Sequence, residues 1–124
     1  MNRLLSVAIG APALLFVVVG IRWAIDPGGA AGMLGMPLVS GLGLSAQISD
    51  IGALFLSMGV LMILALVSQH KTWFYAPAMM LLMVASYRLI AWLAHGAAFA
   101  GQEIAIEIVV SALLLVAAAR VKNS

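Results

Sequence analysis

Four long apolar runs, separated by short polar or glycine-rich breaks, set the layout of this chain. They cover residues 4–25, 48–68, 73–95 and 102–119. Each is close to the about 20 residues a helix needs to cross a bilayer. The first follows Met1-Asn2-Arg3 and is much longer than the 7–15-residue apolar core of a cleaved leader. An uncleaved first span is therefore expected, although Ala30-Ala31-Gly32 loosely resembles a cleavage site. Pro12 lies inside it, a kink that neighbouring helices tolerate within a membrane. Arg22 and Trp23 close it, where basic and aromatic side chains anchor at headgroups.

The segment from Asp26 to Gln47, rich in glycine and holding two prolines, breaks any long helix. Asp26-Pro27 reads as an N-cap followed by proline at the first helical position. One short helix up to Gly35 is expected, laying Met33, Leu34 and Met36 on the membrane surface. Ser49 and Asp50 are read as the capping start of the second span, where oxygens and negative charge suit free N–H groups. Ala53 and Ser57, four apart, and Gly52 and Gly59, seven apart, are small residues suited to close helix approach. Residues 69–72 and 96–101 read as tight turns, and a polar tail follows Arg120 and Lys122.

Four spans place both ends on one side, together with Arg3, Lys71, Arg120 and Lys122. The preference of basic loops for the cytoplasm puts that side inside. The expected fold is thus all-α: one integral membrane four-helix bundle over residues 1–124, with a short interfacial helix or loop between the first two spans.

Composition supports the membrane reading. Of 124 residues, 65% are hydrophobic and 8% charged, and the mean hydropathy is +1.20. A soluble domain carries about 25% charged residues, because it needs a hydrated exterior. The absence of cysteine excludes disulfides, thiolate nucleophiles and cysteine metal sites. The net charge of +2 is small and divided by side, so nucleic acid is not an expected partner.

Charge becomes informative in the third run. Arg88 stands well inside it, where an unpaired arginine costs about 2.5–3.5 kcal/mol on insertion scales. At 1.5 Å per residue, Arg88 lies about 10 Å, and Glu107 about 7 Å, below the outer ends of their helices. Arg88, Trp92 and His95 share one helical stripe, and Glu103, Glu107 and Ser111 share another. An outer-leaflet cluster of Arg88, Glu107, Asp50, Trp92, His95 and Glu103 is expected, with Arg88 and Glu107 paired at its centre. For Asp50 and Glu103, a first-turn carboxylate complementing the helix dipole is the simpler account. For Arg88, the alternative is a side chain snorkelling to the surface. Even a real pair serves packing and insertion more readily than catalysis.

Other chemistry finds little support. His70 and His95 stand at opposite ends of one helix, about 37 Å apart, so they cannot share a metal or haem. The methionines read as gap-fillers. No phosphate loop, dinucleotide fingerprint or serine–histidine–acid set is present, nor the inverted repeats of a transporter. No catalytic residue, metal or cofactor is expected.

Two segments, Ser49–Gly59 (SDIGALFLSMG) and Arg88–Gly96 (RLIAWLAHG) followed by Glu107, resemble a domain-of-unknown-function family of small four-helix bacterial inner-membrane proteins, distantly DoxX-like in size and layout. That family often has arginine where this chain has Gly52, and an acid where it has His95. The resemblance implies the four-helix architecture and no activity. The expected role is a non-enzymatic accessory subunit of the inner membrane, associating with itself or with a larger complex among membrane lipids. The alternative is a binding protein or enzyme for a lipophilic molecule whose polar head meets the Arg88 cluster.

Overall fold

The computed structural model describes residues 1–122, so the polar tail at 123–124 lies outside the described residues. Within them are α1 (Arg3–Ile25), α2 (Pro27–Met33), α3 (Gly41–Ser68), α4 (Lys71–His95) and α5 (Gly101–Arg120). All but α2 are long and apolar enough to cross a membrane. They run up and down as a four-helix arrangement in which α1 packs on α3, α3 on α4, α4 on α5, and α5 back on α1.

Local chemistry sets the helix ends. The Asn2 side chain accepts the Leu5 N–H at 2.8 Å, capping α1. Asp26 accepts the Gly29 N–H at 3.2 Å, and Pro27 follows at the first position of α2. Gly96 ends α4 at φ +71°, a left-handed turn that costs glycine little, and the Ala97 N–H reaches back to the Ala91 carbonyl.

The expected boundary of the second span is corrected. Helix α3 begins at Gly41, seven residues before the apolar run, and passes through a π turn over Gln47–Gly52. Ser49 and Asp50 therefore lie inside the helix and cap nothing. Ser49 Oγ donates instead to the Ser45 carbonyl one turn back, at 2.7 Å. Gln47 also has a different role. Its side chain accepts the Val39 N–H at 2.9 Å and donates to the Pro37 carbonyl at 3.0 Å, strapping the preceding extended chain to the helix.

Two more expectations change on packing grounds. Trp23 is fully buried rather than interfacial, beneath Ala30 and Ala31 of α2 and beside Ile48 and Ile51. It fits because position 52 is glycine: a Cβ there would fall 2.7 Å from the Trp23 Cβ. Arg22 reaches both Asp26, at 3.4 Å, and the Met33 sulfur, at 2.9 Å, so it ties α1 to α2. Among the small residues of α3, Gly52 and Gly59 are buried while Ala53 and Ser57 are exposed. The seven-residue spacing thus marks the α1 contact. A Cβ at Gly59 would lie 2.7 Å from the Ala13 carbonyl oxygen.

The core is uneven along the bundle. One cluster draws on all four long helices, from Leu5, Ile9 and Met62 to Phe74, Leu81 and Leu114. A second, at the end away from the termini, is built from Val19, Trp23, Ala30 and Ala31 with neighbours from α3, and holds nothing from α4 or α5. Burial on α4 stops at Ala85, and every residue from Trp92 to Phe99 is exposed. The α1–α3 hairpin has its own cover at this distal end, and it leaves the distal half of α4 open.

Candidate functional site

The buried stripe of α4 runs through Phe74, Pro77, Ala78, Leu81 and Ala85. Continued by one turn, it reaches Arg88. On α5 the stripe runs through Ile104, Glu107, Val110, Ser111 and Leu114. The two helices are antiparallel neighbours joined by a five-residue connection, so Arg88 and Glu107 meet near the same level. Arg88 Nε–H donates to both carboxylate oxygens of Glu107, at 2.9 and 3.1 Å. One turn deeper, Ser111 Oγ donates to the Glu107 carbonyl at 2.7 Å and stands 3.4 Å from the Ala78 carbonyl, joining the two helices below the pair.

The partners are not equally buried. The Glu107 side chain is 11% exposed and that of Arg88 36%. Only Nε of the guanidinium is used, and neither Nη atom has a partner among the described residues. Arg88 borders a shallow groove of about 530 Å³, whose other lining residues are Met83, Val84, Tyr87 and Ala91, all on α4. A groove of about 600 Å³ on the same helix, lined from Thr72 to Ser86 with Leu115, offers hydroxyls and apolar surface but no charge.

None of the other four residues of the expected cluster hydrogen-bonds or ion-pairs with Arg88 or Glu107 among the described residues. Asp50 is exposed on the π turn of α3, with Ser49 Oγ at 3.3 Å as its neighbour. Its place inside α3 corrects its reading as a first-turn acid. Glu103 is exposed in the first turn of α5, where a carboxylate complements the helix dipole. His95 is the exposed last residue of α4, a position that suits a basic side chain. Trp92 packs edge-tilted on Phe99, ring centroids 4.7 Å apart, and so braces the α4–α5 turn. The structure thus joins two of the six residues. The groove walls at Val84, Tyr87 and Ala91 escaped sequence reasoning, because ordinary apolar and aromatic residues on a membrane helix give no signal. Their i, i+4, i+7 relation (Val84, Arg88, Ala91) is visible only once Arg88 is the reference.

Compared with family models, with curated proteins and with solved structures, the chain finds no match in any of the three. Function is therefore to be sought in the residues and their geometry.

Proposed function

We propose that this chain is a non-enzymatic accessory protein of a bacterial-type inner membrane, with both ends cytoplasmic. Its groove on α4 holds a lipophilic molecule whose polar head is met by Arg88. The observation that carries this is the state of the guanidinium: Nε is engaged by a buried carboxylate, both Nη atoms lack a partner among the described residues, and the group borders an open groove. In lipid every unsatisfied polar hydrogen costs several kcal/mol, so these donors call for an acceptor from outside the chain. A closed, dry pair would instead have supported a purely structural role. The cytoplasmic placement of the ends rests on Arg3, Lys71, Arg120 and Lys122. Membership of the four-helix family that Ser49–Gly59 and Arg88–Gly96 resemble belongs to the same proposal.

A second reading, lateral association with another copy or a larger complex, draws support from the open distal half of α4. Native mass spectrometry after gentle extraction separates the two. Retention of a small molecule by the wild type, and its loss in Ala91→Trp, which fills the groove without touching the pair, is the expected result. A protein that carries no small molecule and runs as an oligomer overturns the binding role in favour of association.

A further inference from the structure

We infer that Met33 is an oxidation site, whose sulfoxide oxygen takes the Arg22 guanidinium and fastens the short helix α2 over Trp23. The site shares no residue with the Arg88 groove. Arg22 Nη1–H donates to the Met33 sulfur at 2.9 Å, while Nη2 stands 3.4 Å from an Asp26 carboxylate oxygen. The guanidinium lies against the backbone of α2, because a side chain at Gly29 would run into both Arg22 and Asp26. One cation thus spans the start and the end of α2. Its contact at the far end is a weak one, because a thioether is a poor acceptor.

Little else holds α2. It has seven residues, PGGAAGM, three of them glycine, and a helix this short does not persist on its own propensity. Ala30 and Ala31 are its buried residues, and they cover Trp23. That cover is costly, because the indole Nε1–H beneath it is buried and has no acceptor among the described residues. Lifting α2 lets water reach it. A segment balanced in this way responds to the strength of a single tie.

Met33 is placed to change that tie. It is 49% exposed and lies outside the four long helices, whereas Met58 and Met62 are buried. Met79 and Met83 are exposed too, but within α4, which is long and apolar enough to be surrounded by lipid. The oxidant is a peroxide. A sulfur lone pair attacks one peroxide oxygen, the S–O bond forms as the O–O bond breaks, and the departing hydroxide takes up the remaining proton as water. Sulfur is oxidised to the sulfoxide and the peroxide is reduced. The polar product disrupts a methionine packed in a core. Met33 is not part of the buried cluster around Trp23, so it has no such packing to lose. Its new oxygen is a strong acceptor beside a cation that already touches the sulfur, and a charge-assisted hydrogen bond is roughly twice as strong as a neutral one.

The test is hydrogen exchange, read by mass spectrometry on the full-length protein in nanodiscs before and after limited hydrogen peroxide. Met33 should be oxidised before Met58 and Met62. The α2 amides, such as that of Ala30 bonded to the Asp26 carbonyl at 3.0 Å, should then exchange about tenfold more slowly, equivalent to about 1.4 kcal/mol. Reduction of Met33 by methionine sulfoxide reductases should restore the starting rate. Met33→Leu should show no slowing after peroxide. Arg22→Leu should still be oxidised at Met33 yet show no slowing. If Arg22→Leu cannot be extracted folded, Met33→Gln, which carries a carboxamide oxygen at similar reach, should slow the exchange without peroxide, and unchanged exchange in it overturns the inference. Faster or unchanged exchange once Met33 is oxidised overturns it as well. So does a slowing that survives the loss of Arg22 or of Met33, or oxidation of Met58 and Met62 ahead of Met33.

Discussion

At the scale of single residues, the unequal burial of the Arg88–Glu107 pair decides what each deletion does. Arg88→Leu strands a carboxylate whose side chain is 11% exposed. Breaking a buried pair in this way costs about 3–5 kcal/mol. Glu107→Leu leaves a guanidinium that is 36% exposed and borders an open groove, so it can turn towards the surface. Its loss should be smaller, nearer the about 2.5–3.5 kcal/mol that an unpaired arginine costs within a span. Arg88→Leu with Glu107→Leu should recover most of what Arg88→Leu loses, because apolar replacement of both partners is close to neutral. Thermal unfolding in a mild detergent reads all three. Equal losses for the single variants would contradict the asymmetry, and a double loss equal to their sum would show that the residues are not coupled. The pair itself is legible in the sequence. Matched depth on consecutive helices is enough to bring a carboxylate to an arginine, because few other charges are within reach. What escapes the sequence is the setting of Asp50: a first-turn carboxylate and one inside a helix look alike until the start of α3 at Gly41 is known.

At the scale of the elements, steric fit decides. Gly59 lies so close to α1 that a side chain would collide with the Ala13 carbonyl and Val17. Backbone does not move aside easily, so Gly59→Leu should cost about 1–3 kcal/mol through overpacking. Ser57→Leu, on an exposed face of the same helix, should change stability by no more than about 0.5 kcal/mol. Similar melting temperatures for the two variants would place the α1–α3 contact elsewhere. Both small-residue spacings look alike in sequence, since spacing defines a face and only the neighbour tells which face is used. The start of α3 is hidden by its glycines. Where chain enters an apolar layer, backbone N–H groups have no water to bond, and helix wins over the loop preference of Gly41 and Gly43. Gln47 adds the strap, and Gln47→Leu should free the Val39 N–H and speed its hydrogen exchange while the core of α3 stays protected. Unchanged exchange at Val39 would show that the strap does not hold that segment.

At the scale of the whole molecule, the two ends of the bundle differ in charge as well as in packing. Arg3, Lys71, Arg120 and Lys122 gather at the end with the termini, whereas all four acids, Asp26, Asp50, Glu103 and Glu107, lie towards the other. Helix order requires this division once the four long helices run up and down. The proposed orientation, with both ends in the cytoplasm, rests on the preference of short basic loops for that side. Cysteine is absent from the sequence, so single cysteines report cleanly on sidedness. Lys71→Cys, at the first residue of α4, should resist an impermeant thiol reagent added to intact cells and react after the membrane is opened. Ala98→Cys, in the exposed turn between α4 and α5, should react in intact cells. The reverse pattern would turn the molecule over, placing the Arg88 groove in the cytoplasmic leaflet and making any ligand there one supplied from inside the cell. Labelling of both positions from the same side would be the more damaging result. It would mean that α4 does not cross, and the depth of about 10 Å that keeps Arg88 away from water would be lost.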